Sequence, residues 1–349
     1  MTLDPVGSLM IDEAGPLSGR VFVLDDVDGS ITREAIRQGA DVRAWSDDVR
    51  EQSKLPRAHV FDGPLTADWV PDTVLWRLPR AVSGVEDLAE SLSTWLTPSA
   101  RVIAGARVKH MTIAQNAALE RSFAHVTASR GRQRSRVLHA TGARPSLARW
   151  PMRRYLTELD LTVIARGTVF ATNRLDDGTR LLLRTLSRIT SQPRRQPSSL
   201  PTAGVAIDLG SGSGIIASWL GVRGYTVTAI DVSQHALQST RLTANANQVQ
   251  VGTRRSDGFG RTPDASADLI VSNPPYHRGA AKDSTPTIEM IRRAGAVLRP
   301  GGELWLVYNS HLPYLPELRR HVGVTTIEAR DRNYIVTRSL KQPEALSEV

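Results

Sequence analysis

The octapeptide Asp72-Thr-Val-Leu-Trp-Arg-Leu-Pro79 recurs as Asp268-Leu-Ile-Val-Ser-Asn-Pro-Pro275, a constant offset of 196 residues. Downstream, Leu96-Thr-Pro98 matches Leu298-Arg-Pro300 and residues 102–104 match 304–306, at an offset of 202. Self-similarity of this kind means one folding plan used twice. The plan is legible in the C-terminal copy. Residues 205–209 predict a strand, 210–214 a glycine loop, 215–221 a helix, 226–230 a second strand and 234–245 a second helix. A strand over 269–272, a helix around 287–298 and a strand over 303–308 follow, the last after the turn Pro300-Gly301-Gly302. Alternation of strand and helix predicts a doubly wound, mostly parallel sheet of the α/β class. Residues 21–25 and 40–45 fall where the first two strands of the N-terminal copy belong.

The copies differ where an open α/β sheet binds ligands, past the carboxyl ends of its strands. In the C-terminal copy Asp208 leads into Gly210-Ser211-Gly212-Ser213-Gly214 and then a helical pattern. Glycines let the backbone turn tightly and let a ligand approach, and a helix opens with N–H groups suited to an anion. The spacing departs from the Gly-x-Gly-x-x-Gly of dinucleotide folds, with Ile215 where those carry glycine. Asp231 closes the second strand, placed for a ribose diol, and Asp257 closes a third candidate strand, where it could receive an adenine amine. The N-terminal copy carries Asp25-Asp26-Val27-Asp28-Gly29 for the glycine loop, Ser46 for the strand-end acid and Arg77-Leu78-Pro79-Arg80 for Asn273-Pro274-Pro275-Tyr276. Three carboxylates in such a loop repel an anion. This copy is expected to keep the fold and lack the site.

Asn273-Pro274-Pro275-Tyr276 ends the apolar run 269–272. Each proline fixes its own φ and holds the preceding residue extended, so the chain is stiff just past the strand end. The Asn273 amide oxygen and the Pro274 carbonyl can accept the two hydrogens of an exocyclic amine, while the Tyr276 ring stacks on its plane.

Net charge is +9, and its distribution matters more than its size. From Arg121 to Thr157 nine arginines stand with no Asp or Glu. A GC-rich genome explains arginine over lysine, but not the missing acids, and such a stretch is the footprint of a polyanion. Arg130, Arg132, Arg134, Arg136, Arg153 and Arg154 are its candidate RNA contacts. The expected organisation is a degenerate domain over 1–130, a basic connector over 131–150 and a catalytic domain over 151–345 that opens with a strand pair. Residues 191–201 form a Pro/Ser/Arg-rich loop. No apolar run has membrane-span length, the N-terminus lacks a leader pattern, and cysteine is absent, which fits a cytoplasmic protein. The eight histidines lack metal-ligand spacing, so no metal is expected.

On these residues the chain resembles the S-adenosylmethionine-dependent methyltransferases that modify exocyclic amines. Within them it is similar to the ribosomal RNA guanine-N2 methyltransferases built from two homologous Rossmann-like domains, the N-terminal one degenerate. Val102-Ile-Ala-Gly-Ala-Arg107 and Tyr308-Asn-Ser-His-Leu-Pro-Tyr314 are nearer the large-subunit members, with the small-subunit members second. Phe170 and Leu175-Asp176-x-Gly178-x-Arg180 match the segment leading into the catalytic domain, which implies that Gly178 approaches the methionine end of the cofactor. Ser211 and Ser213 stand where relatives often have Cys and Asn, and Tyr276 where they often have Phe. The resemblance implies methyl transfer from S-adenosylmethionine to a guanine N2 in ribosomal RNA, naked or in an assembling subunit. Asn273, Pro274, Pro275 and Tyr276 would be catalytic. Gly178, Asp208, Gly210, Gly212, Gly214, Asp231, Asp257 and Asn273 would hold the cofactor. The same tetrapeptide serves adenine-N6 and glutamine-N5 methyltransferases, and an RNA-binding protein with a vestigial cofactor site is the rival from another class.

Overall fold

A computed structural model of the protein describes residues 2–62, 68–145, 147–190, 204–274 and 285–342. The chain forms two compact units. The first comprises Met1–Met152, Arg166–Val169 and Ser233–His235, and the second Arg153–Ala165, Phe170–Val232 and Ala236–Val349.

The first unit runs α1 (Pro5–Ala14), β1 (Arg20–Leu24), α2 (Ser30–Arg37), β2 (Asp41–Trp45), α3 (Val49–Gln52), β3 (Thr73–Arg77), α4 (Val82–Trp95), β4 (Arg101–Arg107), α5 (Ile113–Glu120), β5 (Phe123–Ala128) and β6 (Ser135–Ala143). Its strands are ordered β2-β1-β3-β4-β6-β5, the first four parallel and the last two antiparallel. Residues 135–143 of the stretch expected as a connector therefore form β6, inside the sheet between β4 and β5. Exposed Arg136 and half-buried His139 and Thr141 break its apolar run, although Val137 enters one core and Leu138 and Ala140 the other.

β7 (Met152–Leu156) and β8 (Leu161–Ala165) form the expected strand pair, with alternating burial along β8. The second unit continues with α6 (Asp177–Thr190), β9 (Val205–Leu209), α7 (Ile215–Val222), β10 (Thr226–Asp231), α8 (Gln234–Ala246), β11 (Val251–Arg255), β12 (Ala267–Ser272), α9 (Thr285–Val297), β13 (Leu298–Asn309), α10 (Leu315–His321), β14 (Val324–Arg330) and β15 (Tyr334–Leu340). Its sheet is ordered β11-β10-β9-β12-β13-β15-β14, parallel as far as β13.

Successive residues of a strand point to opposite faces, and parallel sheets are covered on both. Along β9, β12 and β13, Ala206, Leu269, Val271, Trp305 and Val307 enter one core, while Ile207, Leu209, Ile270, Leu304 and Leu306 enter the other. That double burial is why these strands read as unbroken apolar runs.

The repeat seen in the sequence is a repeat of register. Thr73 pairs Arg101 as Leu269 pairs Glu303, which reproduces the offsets of 196 and 202. Leu24 pairs Trp45 as Leu209 pairs Ile230, both at an offset of 185, and α2 and α7 share that offset at both ends. Among the described residues the first unit shows no strand corresponding to β11; a parallel bridge joins Ala44 to Val60 beyond β2.

Candidate active site

The carboxyl ends of β10, β9 and β12 are neighbours, and the candidate residues gather there. Gly210, Gly212 and Gly214 take φ of 77°, 52° and 78°, a conformation that only glycine adopts without strain. Gly214 has a second reason to be glycine: a Cβ there would stand 2.6 Å from the Thr240 Cα of α8. At Gly210 a Cβ would meet nothing within 4 Å, so open space flanks the loop where a ligand would lie.

Asp231 ends β10 and accepts from the Gly212 N–H at 3.0 Å, which ties strand end to loop. The Ser256 N–H donates to the Asp231 carbonyl at 3.0 Å and brings the end of β11 alongside. Asp257 stands two residues past β11 and is exposed. Residues fit for an adenosyl group are thus present: an open glycine loop, an acid at the middle strand end and a second acid on the outer side.

Asp208 was expected to touch the cofactor, and the structure gives it another task. It is fully buried, and its Oδ2 accepts from the Ala217 N–H in the first turn of α7 at 2.8 Å. Burial, reinforced by the nearby charge of Asp231, pushes its carboxyl up to about 8 despite that hydrogen bond. Asp208 supports the loop from beneath.

The Asn273 amide is held by its nitrogen. Nδ2 donates to Asp176 Oδ2 and to Thr179 Oγ1, each at 2.9 Å. A primary amide has two N–H donors. With both committed on this side, the carbonyl oxygen is turned to the opposite side as an acceptor. The Thr179 N–H donates to Asp176 Oδ2 at 3.1 Å, an N-capping bond at the start of α6. Gly178 lies between: a Cβ there would be 3.1 Å from Asp176 Oδ2 and 3.2 Å from the Tyr334 ring. Burial, then the charges of Asp176, Asp177 and Asp331, raise the Tyr334 hydroxyl. Ser272 Oγ donates to the Leu209 carbonyl at 2.7 Å and locks β12 to β9 directly before Asn273. Pro274 is buried; Pro275 and Tyr276 lie outside the described residues, as does the loop 191–201.

Asp176 and Thr179 were not among the sequence candidates. An acid three residues before a threonine at a helix start was the available signal for a cap, but nothing local linked it to Asn273.

In the first unit the corresponding loop is closed by its own acids. Asp25, at the position of Gly210, has φ 58°. Burial, then the charges of Asp47, Glu51 and Asp48, hold its carboxyl well above the usual range, although the Asp47 N–H donates to it. Asp26 Oδ2 accepts from both the Thr32 N–H and the Thr32 hydroxyl at 2.8 Å. Thr32 is the counterpart of Ala217, so the same helix amide is capped from a different position.

Of the candidate RNA contacts, Arg130, Arg132, Arg134 and Arg136 are exposed in and beside the turn between β5 and β6, and Arg153 and Arg154 are exposed on β7. Arg132 is ion-paired with Asp12.

A family model described as Methyltransferase small domain matches residues 160–338, and one described as RLMG N-terminal domain matches residues 18–144. The chain is 31% identical over 350 residues to Ribosomal RNA large subunit methyltransferase G of Streptomyces avermitilis, covering 94% of this chain and 88% of that protein. The protein of the same name from Stutzerimonas stutzeri is 33% identical over 296 residues, covering 82% and 74%. Ribosomal RNA small subunit methyltransferase C of Chromohalobacter salexigens is 41% identical over 181 residues, 52% of each chain. Among solved structures, the T. thermophilus 16S rRNA N2 methyltransferase in complex with AdoMet and guanosine shares the fold, with a TM-score of 0.77 at 21% identity over 97% of this chain and 92% of that one.

Proposed function

The chain belongs to the two-domain family of ribosomal RNA large subunit methyltransferase G, and from that premise we propose that it methylates the N2 amine of a guanine in large-subunit ribosomal RNA. S-adenosylmethionine supplies the methyl group as an already activated sulfonium. What remains for the protein is to position and polarise.

The observation that carries this reading is the orientation of Asn273. A guanine amine is a poor nucleophile because its lone pair is delocalised into the ring. An acceptor held at the amine draws the nitrogen towards tetrahedral geometry and stabilises positive charge as it develops. Asp176 and Thr179 hold Asn273 Nδ2 and so fix the plane of the amide; the Asn273 oxygen and the Pro274 carbonyl are the two acceptors assigned to the amine. Asp231 and the glycine loop would hold the adenosyl part of the cofactor, with Asp257 serving the base and Gly178 the methionine end. The guanine leaves any stack to reach this site, and the Tyr276 ring replaces part of the lost stacking. A vestigial site would not keep the glycine conformations, the Asp231 bond and the Asn273 clamp together.

The deciding experiment is mass spectrometry of ribosomal RNA from a deletion strain, with primer extension to place the missing methyl. Loss of an N2-methylguanine from 23S rRNA is the expected result. Loss from 16S rRNA would transfer the assignment to the small subunit. An unchanged guanine profile in both would overturn the reading.

A further inference from the structure

Helix α8 carries a polar stripe on one face. Thr240, Thr243 and Asn247, the last directly after the helix, stand three and four residues apart, the spacing that brings side chains together on a helix. Both threonines are fully buried. The later part of the stripe seats the helix. Thr243 Oγ1 accepts from the Ile164 N–H at 3.0 Å and donates to the Ile164 carbonyl at 3.1 Å. Asn247 repeats the pattern two residues back along β8: its Oδ1 accepts from the Thr162 N–H at 2.9 Å, and its Nδ2 donates to the Thr162 carbonyl at 2.7 Å. Four helical residues rise about 6 Å and two strand residues about 6.7 Å, so the two spacings nearly coincide. These side chains serve the edge of β8 as a neighbouring strand would, and α8 is fixed against sliding.

Thr240, at the other end of the stripe, reaches the glycine loop. Its hydroxyl donates to the Gly212 carbonyl at 3.3 Å and lies 3.1 Å from Ser211 Oγ. A hydroxyl has one hydrogen to give, so with Thr240 donating to Gly212, Ser211 donates to Thr240. Ser211 stands where relatives often have Cys, and a thiol is the weaker donor. Gly212 is therefore held at both of its backbone groups, the N–H by Asp231 Oδ2 at 3.0 Å and the carbonyl by Thr240. Glycine has the most conformational freedom to lose when a ligand arrives, and a loop held in advance has less of that cost still to meet.

We propose that Thr240 is a positioning residue for the cofactor: through Ser211 and Gly212, α8 holds the glycine loop in the shape that receives S-adenosylmethionine. The proposal rests on the methyltransferase reading above and adds to it a residue that no strand-end or loop pattern singles out. Thr240 lies beneath the loop and acts through Gly212.

The test uses the full chain and reads S-adenosylmethionine binding by calorimetry, with thermal melts in parallel to report the stability lost. Thr240→Val keeps the shape of the side chain and deletes its hydroxyl, whereas Thr240→Ser keeps the hydroxyl. The control is Thr325→Val on β14. There a buried threonine hydroxyl likewise donates to a glycine carbonyl, that of Gly323 at 3.0 Å, and meets a serine hydroxyl, that of Ser339 at 2.9 Å. Thr240→Val should bind the cofactor about tenfold more weakly and Thr240→Ser within about twofold of wild type, the scale set by one lost hydrogen bond to a buried group. Thr325→Val should bind it as wild type does, whatever stability it loses. Combining Thr240→Val with Asp231→Ala should cost less than the product of the two separate losses, because both act on Gly212. Wild-type affinity in Thr240→Val, a serine variant as weak as valine, an equal loss in Thr325→Val, or losses that simply multiply in the double variant overturns the positioning role and leaves the methyltransferase reading intact. Wild-type protein without affinity for S-adenosylmethionine overturns both.

Discussion

Asp176 caps helix α6 and with the same oxygen, Oδ2, accepts from Asn273 Nδ2 at 2.9 Å, across 97 residues of chain. The first unit holds the same relationship in altered form. Asp4 caps α1 through the Gly7 N–H at 2.8 Å and binds both Nη atoms of Arg77, at 2.7 and 3.0 Å. Arg77 stands at the position equivalent to Asn273. One helix cap therefore pins equivalent residues at the carboxyl ends of β3 and β12 in the two units. In one the pinned group is an amide, which carries an acceptor oxygen as well as donors; in the other it is a guanidinium, which has donors only. The exchange removes the acceptor and keeps the architecture, alongside the loss of the glycine loop and of the strand-end acid.

Asp176→Ala is expected to lower kcat about tenfold or more while changing cofactor affinity little, since it frees the Asn273 amide to rotate. It should also lower stability by about 1 kcal/mol through the lost cap. Asp176→Asn keeps an acceptor oxygen at the same place and should recover most of the turnover. Steady-state kinetics with thermal melts separate the two effects. Equal losses in both variants would count against positioning.

Asn273→Ala should reduce turnover about a hundredfold, the scale of one lost transition-state contact, with the cofactor still bound. Asn273→Asp should be worse than alanine, because it sets a carboxylate against Asp176 with no N–H between them. Single-turnover rates at saturating cofactor rank the two. An aspartate variant more active than alanine would show that the amide N–H groups are dispensable.

Asp231→Ala should weaken cofactor binding by about 1–3 kcal/mol, the range for a deleted hydrogen-bonded carboxylate. The loss includes the 3.0 Å bond that steadies the Gly212 N–H. Calorimetric titration with S-adenosylmethionine reads it directly, and wild-type affinity would place the ribose elsewhere.

Gly214→Ala and Gly210→Ala impose similar backbone strain, at φ of 78° and 77°. Only the first meets backbone, at 2.6 Å from Thr240 Cα. Gly214→Ala should therefore lose the more stability, measured by denaturant unfolding. Equal losses would mean that conformation alone, not contact with α8, governs both sites.

Asp208 gives a prediction in pH. Its carboxyl is raised to about 8 in the fold, so between about pH 4 and pH 8 the unfolded chain has released a proton that the folded chain keeps. Stability should fall as pH rises through that window, by up to one proton's worth of slope. Asp208→Asn carries no such proton and should unfold with a flatter pH dependence than wild type. Parallel slopes for the two proteins would show that Asp208 is charged in the fold.

The pattern of strands and helices, the duplication with its offsets of 196 and 202, and the strand-end positions of Asp231 and Asn273 were all legible in the chain. These follow from local rules: apolar runs buried on both faces, glycines at positive φ, and prolines that stop a strand. Residues 135–143 were misread because Arg136, His139 and Thr141 interrupt the apolar pattern of a strand that lies between β4 and β5. Tertiary structure alone decided which groups meet. It put Asp208 under α7, set Thr240 beside the Gly212 carbonyl, and joined Asp176 to Asn273. Sequence spacing determines which side chains share a face of one element, whereas hydrogen bonds and charge between elements depend on how the sheet brings distant strand ends and helix caps within about 3 Å.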